Sequence, residues 1–399
     1  MASPRPLRVL SVAHTAVSRA AGRLRYHPLA DDKSLDVTLV VPARWHQFGR
    51  WLTADPPDDP GLRVVALPIR LPRGGPMSWY LHVYPGLGRQ VRAIAPDVIH
   101  LWEEPWSLVA LQASVLARRS GAALVLEVDQ NIKKRLPPPF EWIRRHVLAR
   151  TDLILSRSTD ATEVVRACGY TGPALPIGYG VDQAVFRPGA PPDRAPPLRI
   201  GYVGRLVEEK GLDDVLAAMA QARAEVRLAI LGEGPHEAAL RAQAAAFAGR
   251  VSFQPWADAA AVASFLRELN ALVLPTRTTG AVKEQFGRVI IEAQACGTPV
   301  IGSTCGAIPD VIGQGGWVVP ERDPPALAAL LDRLAAAPDE VAARGEAGRA
   351  NVAARFTYAA VANDLAQAWR QAARLRTARI DCSKPSGAET AAMAGAERS

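Results

Sequence analysis

The sequence predicts an α/β protein of two Rossmann-like domains that face each other across a cleft. Three observations predict it. The chain has 399 residues, long for one hydrophobic core and comfortable for two. Strand-like apolar runs alternate with helix-like stretches throughout, the pattern of parallel sheets joined by crossover helices. A proline-rich segment then divides that alternation near its midpoint.

In the first half, the strand candidates are Leu7 to Ala13, Val37 to Val41, Leu62 to Leu67, Val98 to Leu101, Ala123 to Val128 and Leu153 to Ser156. They place a first domain at 1–186. Five prolines in the twelve residues Phe186 to Pro197 then make a stiff linker, 187–197. The second half offers Leu198 to Val203, Val226 to Leu231, Val251 to Gln254, Ala271 to Leu274, Val300 to Gly302 and Gly316 to Val319, a second domain at 198–360. A last helix is expected at about 361–375. Residues 376–399 are small, polar and rich in Gly, Ala and Ser, and are expected to be a disordered tail.

About half the residues are apolar, so the chain is globular. No apolar core followed by a cleavage site opens it, and no run of 18 apolar residues occurs, so neither a secretory signal nor a membrane span is expected. Cys168, Cys296, Cys305 and Cys382 lack metal-site spacing, and a reduced cytoplasm fits them. The net charge of +8 is uneven: residues 1–190 hold 24 Lys and Arg against 16 Asp and Glu, whereas the remainder holds 23 of each. The excess suits an anionic partner, such as a phosphorylated acceptor or an anionic membrane face, or reflects an Arg-rich composition alone. Nucleic acid is not expected. Lys133-Lys134-Arg135 precedes a stretch in which Phe140, Trp142 and Ile143 can share an apolar side, suited to a membrane surface or to an ordinary packed helix.

The most informative segment is Glu284 to Val300. Glu284 and Glu292, with seven residues between them, flank Gly287, which opens an apolar helix. A helical span of that length rises about 12 Å at ~1.5 Å per residue, so one carboxylate can meet a hexose and the other a ribose across a diphosphate. Gly287 permits close backbone approach, and a helix start attracts phosphate. With Phe286, Arg288, Gly297-Thr298-Pro299-Val300 and Gly315-Gly316-Trp317 in order, the segment resembles the retaining glycosyltransferases of the GT-B fold, family 4. The resemblance implies that Glu284 contacts donor-sugar hydroxyls, that Glu292 takes the ribose, and that Gly204, Phe286, Gly287 and Arg288 are among the donor contacts. It also implies that the last helix crosses back to the first domain.

Gly201 to Leu212 sets Arg205 and Lys210 beyond Gly204. Fixed cations stabilise a departing diphosphate more in the transition state than in the ground state. The resemblance assigns both to the diphosphate. Gly232-Glu233-Gly234-Pro235 and Phe253-Gln254-Pro255-Trp256 resemble the turns near the nucleotide, which makes Glu233 and Trp256 candidate contacts or, equally, structural residues. No Asp-x-Asp occurs to hold a metal against the diphosphate, so no metal and no cofactor are expected.

The first domain departs from the family. His14-Thr15-Ala16 stands where relatives carry a Gly-Gly loop, and Asp129-Gln130 stands where they carry a histidine. Asp129 is a candidate for that polar role or a cap. His100 is placed at a strand end facing the cleft, as a catalytic or a structural histidine. His14, Glu103 and Glu104 are acceptor-side candidates, although the two glutamates suit the cap of a helix beginning near Pro105 as well. The expected activity is transfer of a sugar from a UDP- or GDP-sugar to a saccharide or lipid-linked acceptor, by a cytoplasmic enzyme with possible membrane contact. The rivals are an epimerase or phosphorylase of the same fold, a natural-product glycosyltransferase, a dehydrogenase, for which Gly-x-Gly-x-x-Gly is missing, or a non-catalytic partner.

Overall fold

The computed structural model describes residues 5–47, 50–71, 78–190 and 196–382. The first domain holds β1 (Leu7–Ala13), β2 (Leu35–Pro42), an antiparallel hairpin of β3 (Arg44–Gln47) and β4 (Arg50–Thr53), then β5 (Arg63–Leu67), β6 (Val98–Trp102), β7 (Ala123–Val128), β8 (Leu153–Ser156) and β9 (Ala174–Pro176). Seven of these form a parallel sheet in the order β5-β2-β1-β6-β7-β8-β9. The second domain holds β10 (Leu198–Val203), β11 (Val226–Leu231), β12 (Val251–Gln254), β13 (Ala271–Leu274), β14 (Val300–Ser303) and β15 (Gly316–Val319), parallel in the order β12-β11-β10-β13-β14-β15. In each sheet the order reverses beside its first strand, β1 or β10. A crevice at that switch point, outside the carboxyl ends of the strands, is where open α/β sheets bind ligands.

Both sheets are covered on both faces, which explains why their central strands read as unbroken apolar runs. β9 and the β3–β4 hairpin were not expected: Arg44–Gln47 and Arg50–Thr53 mix polar residues with tryptophan, and Ala174–Pro176 ends in a proline, so none offers an unbroken apolar run. Residues 191–195 of the expected linker and 383–399 of the expected tail lie outside the described residues.

The closing helix runs Tyr358–Cys382, so residues 376–382 continue a helix where an unstructured tail was expected. Val361, Leu365, Trp369 and Ala372 are buried with Val9, Leu39 and Val125 of the first sheet, and Arg379 reaches Asp152 at 2.9 Å. The helix therefore completes the first domain although its sequence follows the second. The chain crosses between domains twice, and the crossings are tied where Val181 donates its N–H to Phe356 O at 2.8 Å.

The stretch Pro138–Leu148 is a helix, but its aromatics do not share a side. Ile143 is buried in the core, Phe140 is half-buried against it, and Trp142 faces outward against His146. Among the described residues no helix is long and apolar enough to cross a membrane.

Candidate active site

The second domain builds its side of the cleft from glycines at strand ends. Gly232 follows β11 with φ +149°, and a Cβ there would stand 1.9 Å from Gly204 O, so the two turns stack backbone on backbone. Leu206 N–H to Glu233 O (2.9 Å) and His236 N–H to Leu206 O (3.0 Å) lock that arrangement. It holds the loop after β10 rigid, with Arg205 exposed on it. Gly287 caps the helix Arg288–Cys296 at φ +77°, a left-handed conformation that a side chain would strain.

Lys210 and Glu284, 74 residues apart in sequence, meet at 2.5 Å between Nζ and Oε2, and Thr276 Oγ1 reaches the same oxygen at 3.4 Å. The cation assigned to the diphosphate and the carboxylate assigned to the sugar thus pair directly. Glu292, one turn into the helix, lines a cavity of about 600 Å³ together with Gly204, Trp256 and Arg288. Ser18 and Leu24 from the first domain and Asp182 from the crossing close its other walls. Burial pushes the Glu292 carboxyl up, and Arg288 opposes that rise. Trp256 is 64% exposed on the rim, and its backbone N–H donates to Glu233 Oε1 at 3.3 Å. Phe286, expected among the donor contacts, is instead buried between Tyr179 and Phe356, where the two domains join.

In the first domain several expectations change. His100 is not at the cleft: it lies inside β6 with a fully buried ring, 2.9 Å from Ser11 Oγ and 3.4 Å from Glu127, packed against Trp369. Burial lowers its pKa, as suits a neutral core imidazole. Asp129 does reach the rim, but both its oxygens are taken, by Arg157 Nε at 2.7 Å and Trp102 Nε1 at 3.1 Å. Arg157 continues to Glu127 and to the carbonyls of Ile177 and Gly178 (3.1 and 2.8 Å), so the network braces the crossing. His14 and Glu103, two of the acceptor-side candidates, stand 2.8 Å apart. Glu104 is no helix cap. Its Oε1 accepts the N–H groups of Asp129 and Gln130 at 2.8 and 2.7 Å, and burial, with Asp129 nearby, pushes its pKa up to about 8.

Sequence reading did not single out Asn131. Its side-chain amide donates to the carbonyls of Lys283 and Glu284 at 3.1 and 3.0 Å, across the cleft and more than 150 residues away. Beside it Lys283 reaches Asp160 at 2.6 Å, and Thr159 reaches Asp310 at 3.0 Å. An asparagine in a loop carries no sequence signal for such a contact, because its partner is backbone.

Residues 197–337 match the family model described as glycosyl transferases group 1. The second domain is similar to the group 1 glycosyltransferases. Among similar proteins, a GDP-mannose-dependent monoacylated alpha-(1-6)-phosphatidylinositol monomannoside mannosyltransferase of Corynebacterium glutamicum is 36% identical over 45% of this chain and 51% of its own. A D-inositol 3-phosphate glycosyltransferase of Segniliparus rotundus is 34% identical over 49% of this chain and 46% of its own. The chain thus spans about half the length of the curated relatives it matches.

The similarity of fold reaches further than that of sequence. A sucrose-phosphate synthase from Thermosynechococcus elongatus superposes with a TM-score of 0.67 at 21% identity, covering 92% of this chain and 98% of that one. Anabaena HepE, solved in complex with UDP and glucose, gives 0.64 at 15% identity, covering 90% and 98%. Both domains and the returning helix therefore form a GT-B fold.

Proposed function

We propose that this protein transfers a hexose-type sugar from a nucleoside-diphosphate donor to a saccharide or lipid-linked acceptor, with retention at the anomeric carbon and without a metal ion. The observation that carries the proposal is the Lys210–Glu284 pair, set beside a cavity of about 600 Å³ lined by Glu292, Arg288 and Trp256. A sugar diphosphate entering there separates the pair: the phosphates take Lys210 and Arg205, and the sugar hydroxyls take Glu284. Glu292 then receives the ribose, and Trp256 offers an exposed face to the base.

In the reaction the bond from the anomeric carbon to the phosphate oxygen breaks and a bond to the acceptor oxygen forms on the same face. The departing phosphate, stabilised by the two cations, takes the acceptor's proton. Closure of the domains excludes water and limits hydrolysis of the donor. The similar proteins name GDP-mannose in one case and UDP in another, so both bases are carried forward.

The test is calorimetry with UDP, GDP, ADP and dTDP, each in EDTA and in Mg2+, followed by NMR of the product's anomeric coupling. Binding of one diphosphate without metal, and an anomeric configuration equal to the donor's, is the expected result. Binding of none of the four removes the donor assignment, strict Mg2+ dependence removes metal independence, and an inverted product removes retention.

A further inference from the structure

At the end of the first sheet opposite the cleft, a cavity of about 520 Å³ opens between the strand starts and the returning helix. Its walls come from Arg5 and Arg8 at the head of β1, Asp97 ahead of β6, Gly121 ahead of β7, and Arg370 and Arg376 of the closing helix. β1 is seven residues long, so about 20 Å of strand, at ~3.3 Å per residue, separates this cavity from the switch-point crevice. None of the donor-side or acceptor-side candidates lines it.

Four arginines thus line the cavity against one carboxylate. That carboxylate is fully engaged: Arg5 takes both its oxygens at 2.7 Å, and Arg8 donates its backbone N–H to it at 2.9 Å. Arg370 is held from outside the cavity by Asp32. The other two guanidiniums have no carboxylate at hydrogen-bond distance. Arg8 Nε stands 3.8 Å from Asp97 and is buried without a hydrogen-bond partner among the described residues. Arg376 reaches the Gly121 carbonyl at 3.4 Å, a long contact to a neutral group. Two like charges facing one open space repel, and an anion between them removes the repulsion. A guanidinium presents a planar fork of donors that matches phosphate oxygens. A phosphate monoester carries about −1.5 to −2 charge at neutral pH, so it answers both arginines at once where a single carboxylate answers one. The closing helix strengthens the local field, since it holds four arginines against two aspartates.

We propose that this cavity binds a phosphate group through Arg8 and Arg376, and that the bound anion ties the returning helix to the strand starts of the first domain. The cavity exceeds a phosphate alone, which leaves room for the molecule that carries it: a soluble phosphomonoester or the headgroup of an anionic lipid. The site stands apart from the transferase reading, because it needs neither the donor nor the acceptor of that reaction.

The experiment measures binding of inorganic phosphate and of D-glucose 6-phosphate to the full chain by phosphorus NMR, and co-sedimentation with phosphatidylcholine vesicles with and without phosphatidic acid. The expected result is binding of a phosphate-bearing probe that Arg8→Gln and Arg376→Gln each weaken about tenfold, the worth of one charge-assisted hydrogen bond, and that Lys210→Ala leaves unchanged. Both arginine variants are expected to keep the parent's melting temperature in probe-free buffer. If Arg8→Gln melts earlier, Arg376→Gln, which gives up one long contact, carries the test. Binding of the soluble probes assigns the site to a free phosphomonoester, and retention on phosphatidic-acid vesicles alone assigns it to a lipid headgroup. No binding of any probe overturns the proposal. Binding lost in Lys210→Ala and kept in the arginine variants overturns it too, since the anion then sits in the donor cleft. So does an equal loss in Arg223→Gln, an exposed arginine of the second domain, which would reduce the effect to general charge.

Discussion

The two domains share a topology but build their sides of the cleft by different means. In the second, short backbone turns do the positioning: Gly232 over Gly204 O, Gly287 at the head of a helix, and Lys210 against Glu284. In the first, side chains do it through a buried charge network. Burial alone would raise the Glu127 carboxyl, but Arg25 and Arg157 hold it well below the ordinary range, and Arg157 passes the constraint to Asp129 and to the crossing at Ile177 and Gly178. Backbone turns demand particular residues at fixed spacing. Side-chain networks accept many solutions, and the family model matches residues 197–337, within the domain built on backbone turns.

The largest effect that can break this contrast is at Lys210. Lys210→Ala removes the cation proposed for the diphosphate, and nucleotide affinity is expected to fall by about 100-fold, the worth of a charge-assisted pair. Calorimetry checks it, and unchanged affinity ends the assignment. Glu284→Ala is expected to cut transfer by a factor on the order of 100 while bare nucleotide binds almost as before. Equal losses in both would make Glu284 a structural residue.

Gly232→Ala puts a methyl group into Gly204 O and is expected to cost about 3 kcal/mol in denaturant unfolding. A loss below about 0.5 kcal/mol, the range of an ordinary surface change, would show that the stacked turns are not rigid.

Asn131→Ala tests how the halves communicate. Because its amide holds the carbonyls of Lys283 and Glu284, kcat is expected to fall about tenfold with nucleotide affinity unchanged, the loss of roughly one hydrogen bond. An equal fall in affinity would place the effect in the second domain alone.

The smallest effect sharpens the first domain's side. Glu104 has a folded-state pKa of about 8 against an ordinary 4.5, so the folded protein binds its proton more tightly than the unfolded chain. Stability then falls as pH rises from about 4.5 to about 8 and is level above. Glu104→Gln lacks this ionisation. Its stability relative to the parent is expected to improve between pH 5.5 and pH 8.5 by about 1 kcal/mol, discounted for solvent screening. A constant difference across that range, read from melting temperatures, rejects the shift.

Much of the fold was legible because parallel strands buried on both faces must be apolar throughout, and helices must alternate with them. Twelve strands were placed that way. β9 and the β3–β4 hairpin were not, since neither contains an unbroken apolar run, and the closing helix ran seven residues past its expected end, where Arg379 reaches Asp152 of the first domain. In the second domain, glycine spacing drew attention to Arg205, Lys210, Glu284 and Glu292, and the fold brings Lys210 and Glu284 into contact. Asn131 was not legible, since its partners, the carbonyls of Lys283 and Glu284, lie more than 150 residues away.

What the sequence determined by itself is whatever depends on local geometry: the strand periods, the glycines that a tight turn requires, and the two glutamates that one helix start spaces apart. What only the tertiary structure decided is whatever depends on burial and on meetings between distant segments. It sent His100 into the core, occupied both oxygens of Asp129, fixed Glu104 by its neighbours' amides and bridged the domains at Asn131. The desolvation and pairing that set the state of a charged group are properties of its surroundings, and those surroundings exist only once the chain has closed.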